Sequence, residues 1–202
     1  MNVFGIVVAA GSGERFGRPK ADVELAGRPL WRWAVDALES GGCDDVVVVG
    51  RVPGGIDGGA RRRDSVAAGL AVVPDGATHV LVHDAARPLA SADLVRRVIE
   101  RLAVGDADAV VPGLAVRDTL KRVEDGVVTH TVDRTDLVIA QTPQGFTIDA
   151  LVGGHAYDDD DATDDAALVE RSGGTVVIVA GEDHNLKVTY SGDLAVAEGL
   201  AT

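Results

Sequence analysis

Short apolar runs and longer amphipathic stretches alternate along this chain. Apolar, often β-branched residues cluster in Val3–Ala9, Val46–Val49, His79–His83, Ala109–Val111 and Val176–Val179. Each run has the length and composition of a buried strand. Between them, apolar residues recur three and four apart. Pro29–Leu38 carries Leu30, Trp33, Ala34, Ala37 and Leu38, and Asp64–Val73 carries Val66, Ala67, Leu70 and Ala71. Ser91–Leu102 carries Leu94, Val95, Val98, Ile99 and Leu102, with Ser91 placed as an N-cap. These spacings predict helices, and Ser191–Leu200 predicts a last one. Strand–helix alternation of this kind predicts a doubly wound α/β fold around a mostly parallel sheet. No internal repeat or long linker interrupts it, so residues 1–202 are expected to form a single domain.

One segment departs from the alternation. Val116–Val123 and Val127–Val132 are β-rich and flank Glu124-Asp125-Gly126, and Asp-Gly signals a hairpin turn. The segment also carries Arg117, Asp118, Lys121, Arg122, His130, Asp133 and Arg134. A hairpin with so little apolar area is not stable alone. It is either an arm that packs on a second subunit or an exposed excursion from the sheet.

Composition narrows the class. The hydrophobic fraction of 46% supplies a sizeable core, and with only 3% aromatics that core must be built from Val, Ala and Leu. The balance of 19 basic against 32 acidic residues gives a net charge of −13. Such a surface argues against nucleic acid and against an anionic membrane as partners. Local cations can still hold a small phosphorylated ligand. The single cysteine, Cys43, excludes an intrachain disulfide and a Cys-rich zinc site. With no signal-like leader and no apolar run long enough to span a bilayer, a soluble cytoplasmic protein is expected.

Candidate chemistry lies where strands break into loops. The first run ends in Gly11-Ser12-Gly13-Glu14-Arg15-Phe16-Gly17-Arg18-Pro19-Lys20. Gly11 and Gly13 allow close approach of a ligand to the backbone, while Arg15 and Lys20 can neutralise phosphate. The spacing is neither a dinucleotide fingerprint nor a P-loop. The loop is a phosphate cradle or an ordinary turn with surface cations. After Val80-Leu81-Val82 comes His83-Asp84-Ala85-Ala86-Arg87-Pro88. Asp84 could ligate Mg²⁺ or orient a hydroxyl, and Arg87 could hold a phosphate; a plain Asp–Arg salt bridge fits equally well. Gly58-Gly59-Ala60-Arg61-Arg62-Arg63, glycines followed by basic residues at a helix start, could approach a base or phosphate; a flexible loop with Asp64 or Ser65 as N-cap is the favoured reading of the segment alone. Asn185-Leu186-Lys187-Val188-Thr189 precedes the last helix. The acidic run Asp158–Asp161 reads as a solvated loop, with Thr163 as the N-cap that follows it, rather than as a metal site. The five histidines show no zinc spacing.

Taken together these segments resemble the 2-C-methyl-D-erythritol 4-phosphate cytidylyltransferase family of the non-mevalonate isoprenoid pathway. The likeness runs through Ala9–Arg15, Pro19-Lys20, Gly58-Gly59 with Arg62, Asp64-Ser65-Val66 and His83–Pro88. It continues through Val116–Thr119, Thr131–Arg134, Gln141–Gln144, Thr163-Asp164 and Leu186–Thr189. The resemblance implies a Rossmann-like three-layer αβα fold with a protruding arm at 116–135 that builds a homodimer. It implies transfer of a cytidylyl group from CTP to the sugar phosphate, with Mg²⁺ and without a covalent enzyme intermediate. By position, Arg15, Lys20 and Lys187 would stabilise the triphosphate and the transferring phosphoryl group. Ala9, Ala10, Gly11, Gly13, Gly59, Ser65 and Ala85 would line the cytidine pocket. Asp84 would serve the metal and substrate side with Arg87 beside it, and Thr119 and Arg134 would reach the acceptor in the partner's site. A cytidylyltransferase for ribitol 5-phosphate or another polyol phosphate is the alternative. The chain departs from the family pattern at Ala60, where some members place an Asp, and at Val49–Gly58, where members carry a helix and a short strand.

Overall fold

A computed structural model describes residues 1–11, 16, 23–156 and 162–201. The elements in chain order begin with β1 (Val3–Val8), β2 (Glu24–Leu25), β3 (Arg28–Pro29), α1 (Leu30–Gly41), β4 (Asp45–Val49), α2 (Arg62–Leu70) and β5 (His79–Asp84). They continue with α3 (Ala92–Leu102), β6 (Ala109–Ala115), β7 (Leu120–Glu124), β8 (Val127–Val132), β9 (Val138–Ala140) and β10 (Gln144–Thr147). The chain closes with α4 (Ile148–His155), α5 (Asp165–Arg171), β11 (Val176–Ala180) and α6 (Ser191–Leu200).

All five apolar runs are strands of one sheet, ordered β11-β6-β10-β5-β1-β4, with β9 against β6. β1 pairs in parallel with both β4 and β5, and β11 pairs in parallel with β6. The two parallel groups are joined by β10, which runs antiparallel to β5 and to β6. Strand–helix alternation does not anticipate this strand, because Gln144-Gly145-Phe146-Thr147 carries only one large apolar side chain. That residue, Phe146, is fully buried.

Side chains alternate across the sheet as the pleat requires. Val3 and Val7 pack with Trp31, Ala34 and Leu38 of α1 and Val95, Val98 and Leu102 of α3. Phe4 and Ile6 point the other way, into a cluster with Val66 of α2, Leu151 of α4 and Val169 of α5. The result is three layers. A smaller cluster ties Val23, Leu25 and Leu30 to Val188 and Ala197, so α6 docks beside β2 and the start of α1.

Helix starts follow capping chemistry, with two corrections. Ser91 caps α3 as expected, its Oγ accepting from Leu94 N–H at 3.0 Å. Helix α2 starts earlier than its apolar spacing indicates: Arg61 is the N-cap residue and Asp64 sits at N3, where it accepts from Arg61 N–H at 3.0 Å. Ser65 is therefore inside the helix and not its cap. For α5 the cap is Asp164 and not Thr163; its carboxylate accepts from Ala167 N–H at 3.0 Å and from Gln144 Nε2 at 2.6 Å. A charged carboxylate at a helix N-terminus gains from the helix dipole, which a threonine hydroxyl cannot match. The acidic run Asp158–Asp161 lies outside the described residues.

β7 and β8 form a separate two-stranded ribbon. Asp125 and Gly126 turn it with φ of 48° and 81°, the two positive values of a type I′ turn. Val123, Val127 and Val128 are exposed on it. In the shortened Val49–Gly58 segment, Ile56 makes a single parallel bridge to Val49 in place of a strand. Among the described residues no helix is long and apolar enough to cross a membrane.

Candidate active site

β1 and β5 are parallel neighbours, so the loops that leave them begin side by side. Val8 lies opposite Asp84 in the ladder, and Ala85 N–H donates to Val8 C=O at 3.1 Å. This is the carboxyl end of the strands, where open α/β sheets take ligands. A cavity of about 320 Å³ opens there. Its lining joins Ala9, Ala10 and Gly11 after β1, Gly59 and Ser65 around the start of α2, and Ala85 after β5, with Arg62, Asp84 and Lys187. Small residues dominate, so backbone N–H and C=O groups can meet a ligand directly. A Cβ on Gly59 would stand 2.2 Å from Asp64 Cβ, so only glycine permits this approach to α2. Ser65 clamps the loop: its Oγ accepts from Gly59 N–H at 3.2 Å and donates to Arg61 C=O at 3.3 Å.

Asp84 is the electrostatic centre. Arg62 Nε donates to Asp84 Oδ1 at 3.1 Å, and Lys187 Nζ donates to Oδ2 at 2.6 Å. Burial alone would favour the neutral acid, but Arg62 and then Lys187 outweigh it and hold the carboxyl well below the usual carboxylate range. The plain Asp84–Arg87 salt bridge is not formed. Arg87 Nη1 instead donates to Asn185 C=O at 2.8 Å.

A polar scaffold sets this geometry. Asp84 N–H donates to Thr142 Oγ1 at 3.0 Å. Arg87 C=O can only accept, so His83 Nε2–H donates to it at 3.2 Å, and the Nδ1 of the neutral ring accepts from the Thr142 hydroxyl at 2.8 Å. These partners suit a neutral ring, and burial pushes the His83 pKa down to about 4. The segment that carries Lys187 is stitched down by Asn185 Nδ2, which donates to Thr142 C=O at 2.9 Å, and by Val188 N–H, which donates to Ala86 C=O at 2.7 Å. Gln141 adds a bond from Nε2 to Glu182 C=O at 2.9 Å.

A second cavity, of about 200 Å³, shares Arg62, Asp84 and Lys187 with the first and adds Arg87, Gln141, Thr142, Gln144, Thr163 and Asp164. Among the described residues, four buried side-chain atoms lack a hydrogen-bond partner: Arg62 Nη2, Arg87 Nε, Gln144 Oε1 and Asn185 Oδ1. Three of these residues line the second cavity. Two cationic donors beside an amide acceptor suit a ligand that carries both an anion and hydroxyl groups.

The fold thus gathers Ala9, Ala10, Gly11, Gly59, Ser65, Asp84, Ala85 and Lys187 at one cavity and Arg87 at the next. Gly13, Arg15 and Lys20 lie outside the described residues. Thr119 and Arg134 are exposed where the chain enters and leaves the arm, both at its base opposite the turn, and line neither cavity of their own chain. Sequence reasoning assigned no role to Thr142 or Asn185, and read Arg62 only as one of three basic residues that could approach a base or phosphate. The polar segments Gln141–Gln144 and Asn185–Lys187, set among apolar runs, were the available signal.

Among the described residues no group of three His, Cys, Asp or Glu side chains could hold a metal ion unaided. Mg²⁺ commonly needs only one or two carboxylates plus substrate phosphates. Each Asp84 oxygen accepts one bond in the described network and keeps a lone pair, so the site fits an ion carried in by a triphosphate.

Comparison with known proteins agrees with this geometry. The profile of the family described as IspD, 2-C-methyl-D-erythritol 4-phosphate cytidylyltransferase, matches residues 3–202. The chain is 46% identical to the 2-C-methyl-D-erythritol 4-phosphate cytidylyltransferase of Rhodococcus jostii (strain RHA1), over 98% of this chain and 94% of that protein. It is also 46% identical to the enzyme of the same description from Saccharopolyspora erythraea, over 99% of each. The crystal structure of 2-C-methyl-D-erythritol 4-phosphate cytidylyltransferase from Thermus thermophilus superposes with a TM-score of 0.82 at 36% identity, covering 97% of each chain. With that sheet, that cavity and these relatives, the chain belongs to the IspD family of 2-C-methyl-D-erythritol 4-phosphate cytidylyltransferases.

Proposed function

We infer that this chain performs its family's reaction at the paired cavities: the phosphate of 2-C-methyl-D-erythritol 4-phosphate attacks the α-phosphorus of CTP and pyrophosphate leaves. The observation that carries the reading is the row Arg62–Asp84–Lys187 on the lining shared by the two cavities. Reaction between two bound phosphates needs in-line positioning and stabilisation of the charge that builds on the transferring group. Cytidine occupies the first cavity. The backbone of Ala9–Gly11, Gly59 and Ala85 supplies fixed donors and acceptors there, which reject a purine by size and uracil by hydrogen-bond pattern. The acceptor occupies the second cavity, where Asp84 orients it and Arg87 adds positive charge. Lys187 stabilises the phosphoryl charge together with Arg15 and Lys20. Mg²⁺, carried by the triphosphate beside Asp84, neutralises phosphate charge when bound.

The arm completes the acceptor site of a second subunit. Its exposed valines have no partner surface among the described residues of their own chain, and the dimer gives them one. Thr119 and Arg134 then hold the methylerythritol phosphate in the neighbouring protomer. A cytoplasmic setting agrees with the single cysteine, which is buried. Pyrophosphate release with CTP and Mg²⁺ is the direct test, with 2-C-methyl-D-erythritol 4-phosphate and ribitol 5-phosphate compared as acceptors. The reading expects a clear preference for the former. A preference for ribitol 5-phosphate, or no turnover of either, overturns it.

A further inference from the structure

Asp165 is 1% exposed and belongs to neither cavity. Its Oδ2 accepts from Arg62 Nη1 at 2.5 Å, and its Oδ1 lies 3.0 Å from His155 Nε2. Arg62 passes the contact on through Nε to Asp84, whose other oxygen takes Lys187. One line of polar contacts thus crosses five parts of the fold: His155 at the end of α4, Asp165 at the start of α5, Arg62 on α2, Asp84 at the tip of β5 and Lys187 before α6. Along it Asp165, Arg62, Asp84 and Lys187 alternate in charge. Neither Asp165 nor His155 has a role in the reaction described above.

We propose that Asp165, docked by His155, is a positioning residue for cytidylyl transfer, acting through Arg62 to set the orientation of the Asp84 carboxylate between the two cavities. A guanidinium is a planar fork, so the angle of its Nε toward Asp84 follows from where Nη1 is tied. Asp165 ties it at a site sealed from solvent. With that tie removed, both forks of Arg62 fall to Asp84, which then competes against Lys187 for the same carboxylate. The geometry of the acceptor's anchor changes although no group that touches substrate has been altered. The proposal rests on the assigned role of Asp84, and its test separates the two.

Asp165→Asn, Asp84→Asn and the double variant are compared by kcat and by KM for each substrate. A misplaced anchor predicts that Asp165→Asn lowers kcat by about 10- to 100-fold while KM for CTP stays within about twofold. In the Asp84→Asn background the same change should alter kcat by less than about twofold, because the carboxylate it orients is gone. Asp165→Glu, which keeps the charge, should recover part of the loss. Losses that multiply in the double variant overturn the proposal, as does a fall in melting temperature with kcat unchanged. An Asp84→Asn variant with full activity overturns the role of Asp84 itself and the proposal with it. Where Asp165→Asn does not fold, His155→Gln loosens Asp165 from its other side and enters the same cycle, with a smaller kcat loss that also vanishes when Asp84 is absent.

Discussion

His83 and Asp84 are adjacent in β5 and are held in opposite senses: the acid charged, the base neutral. Burial does this to His83, and the cations Arg62 and Lys187 do it to Asp84 against burial. The pH consequence is calculable. An unfolded histidine titrates near 6.5, while His83 in the native protein titrates near 4. Between those values the unfolded chain binds more protons, so stability rises with pH across the window and is complete above it. The contribution lost on acidification is on the order of 3 kcal/mol at most. Asp84 acts in the same sense lower down, since its depressed value makes its contribution fade as pH falls through and below the carboxylate range. Urea midpoints at about pH 4.5 and 7.5 should differ more in the native protein than in His83→Asn; an equal difference would sink this account. At the same scale, Gly59→Ala places a methyl 2.2 Å from Asp64 Cβ. The loop must shift, so KM for CTP should rise several-fold with KM for the acceptor little changed; equal rises would point to general damage instead.

At the scale of elements, β10 decides whether the two parallel groups form one sheet. Phe146 is its only large apolar side chain, and it is 0% exposed. Phe146→Ala should destabilise the protein by about 3–5 kcal/mol, read from urea unfolding; a loss below about 1 kcal/mol would mean that the strand is dispensable. This strand also shows where sequence reading stops. Apolar runs such as Val3–Val8 and the spacing of Ser91–Leu102 declare themselves because a local pattern matches a local period. β10 is fixed by edges of β5 and β6 that lie far away in the chain, and its polar ends, Gln144 and Thr147, serve as a bond to Asp164 and a cap for α4. The site divides in the same way. Gly59 and Lys187 sit in loops marked by glycine or isolated charge, and Asp84 is the charged residue that ends an apolar strand. Arg62 and Asp165 look like helix-surface charges until α2 and α5 are packed together. The arm was legible through Asp125-Gly126, whose turn geometry follows directly from residue type.

For the whole molecule, the proposed arm makes activity a property of two chains. Each site would take Lys187 from one protomer and Arg134 from the other. Lys187→Ala and Arg134→Ala homodimers should both be nearly inactive. Unfolded together, mixed equally and refolded, they should regain about a quarter of native turnover, since half of the dimers are mixed and each mixed dimer keeps one intact site. No recovery would place Arg134 in its own chain's site, and an active Arg134→Ala homodimer would place it outside the reaction. The sheet order has a further consequence, in the time during which the chain is made. Asp84 leaves the ribosome with β5, but Lys187 follows 103 residues later, and β10 must enter between strands already synthesised. Until then the nascent chain presents an unpaired edge of β5, a template for pairing with other chains. The charge cluster is among the last parts to be completed, so a chain cut short before residue 187 would have Asp84 and no cation from the last segment to set against it.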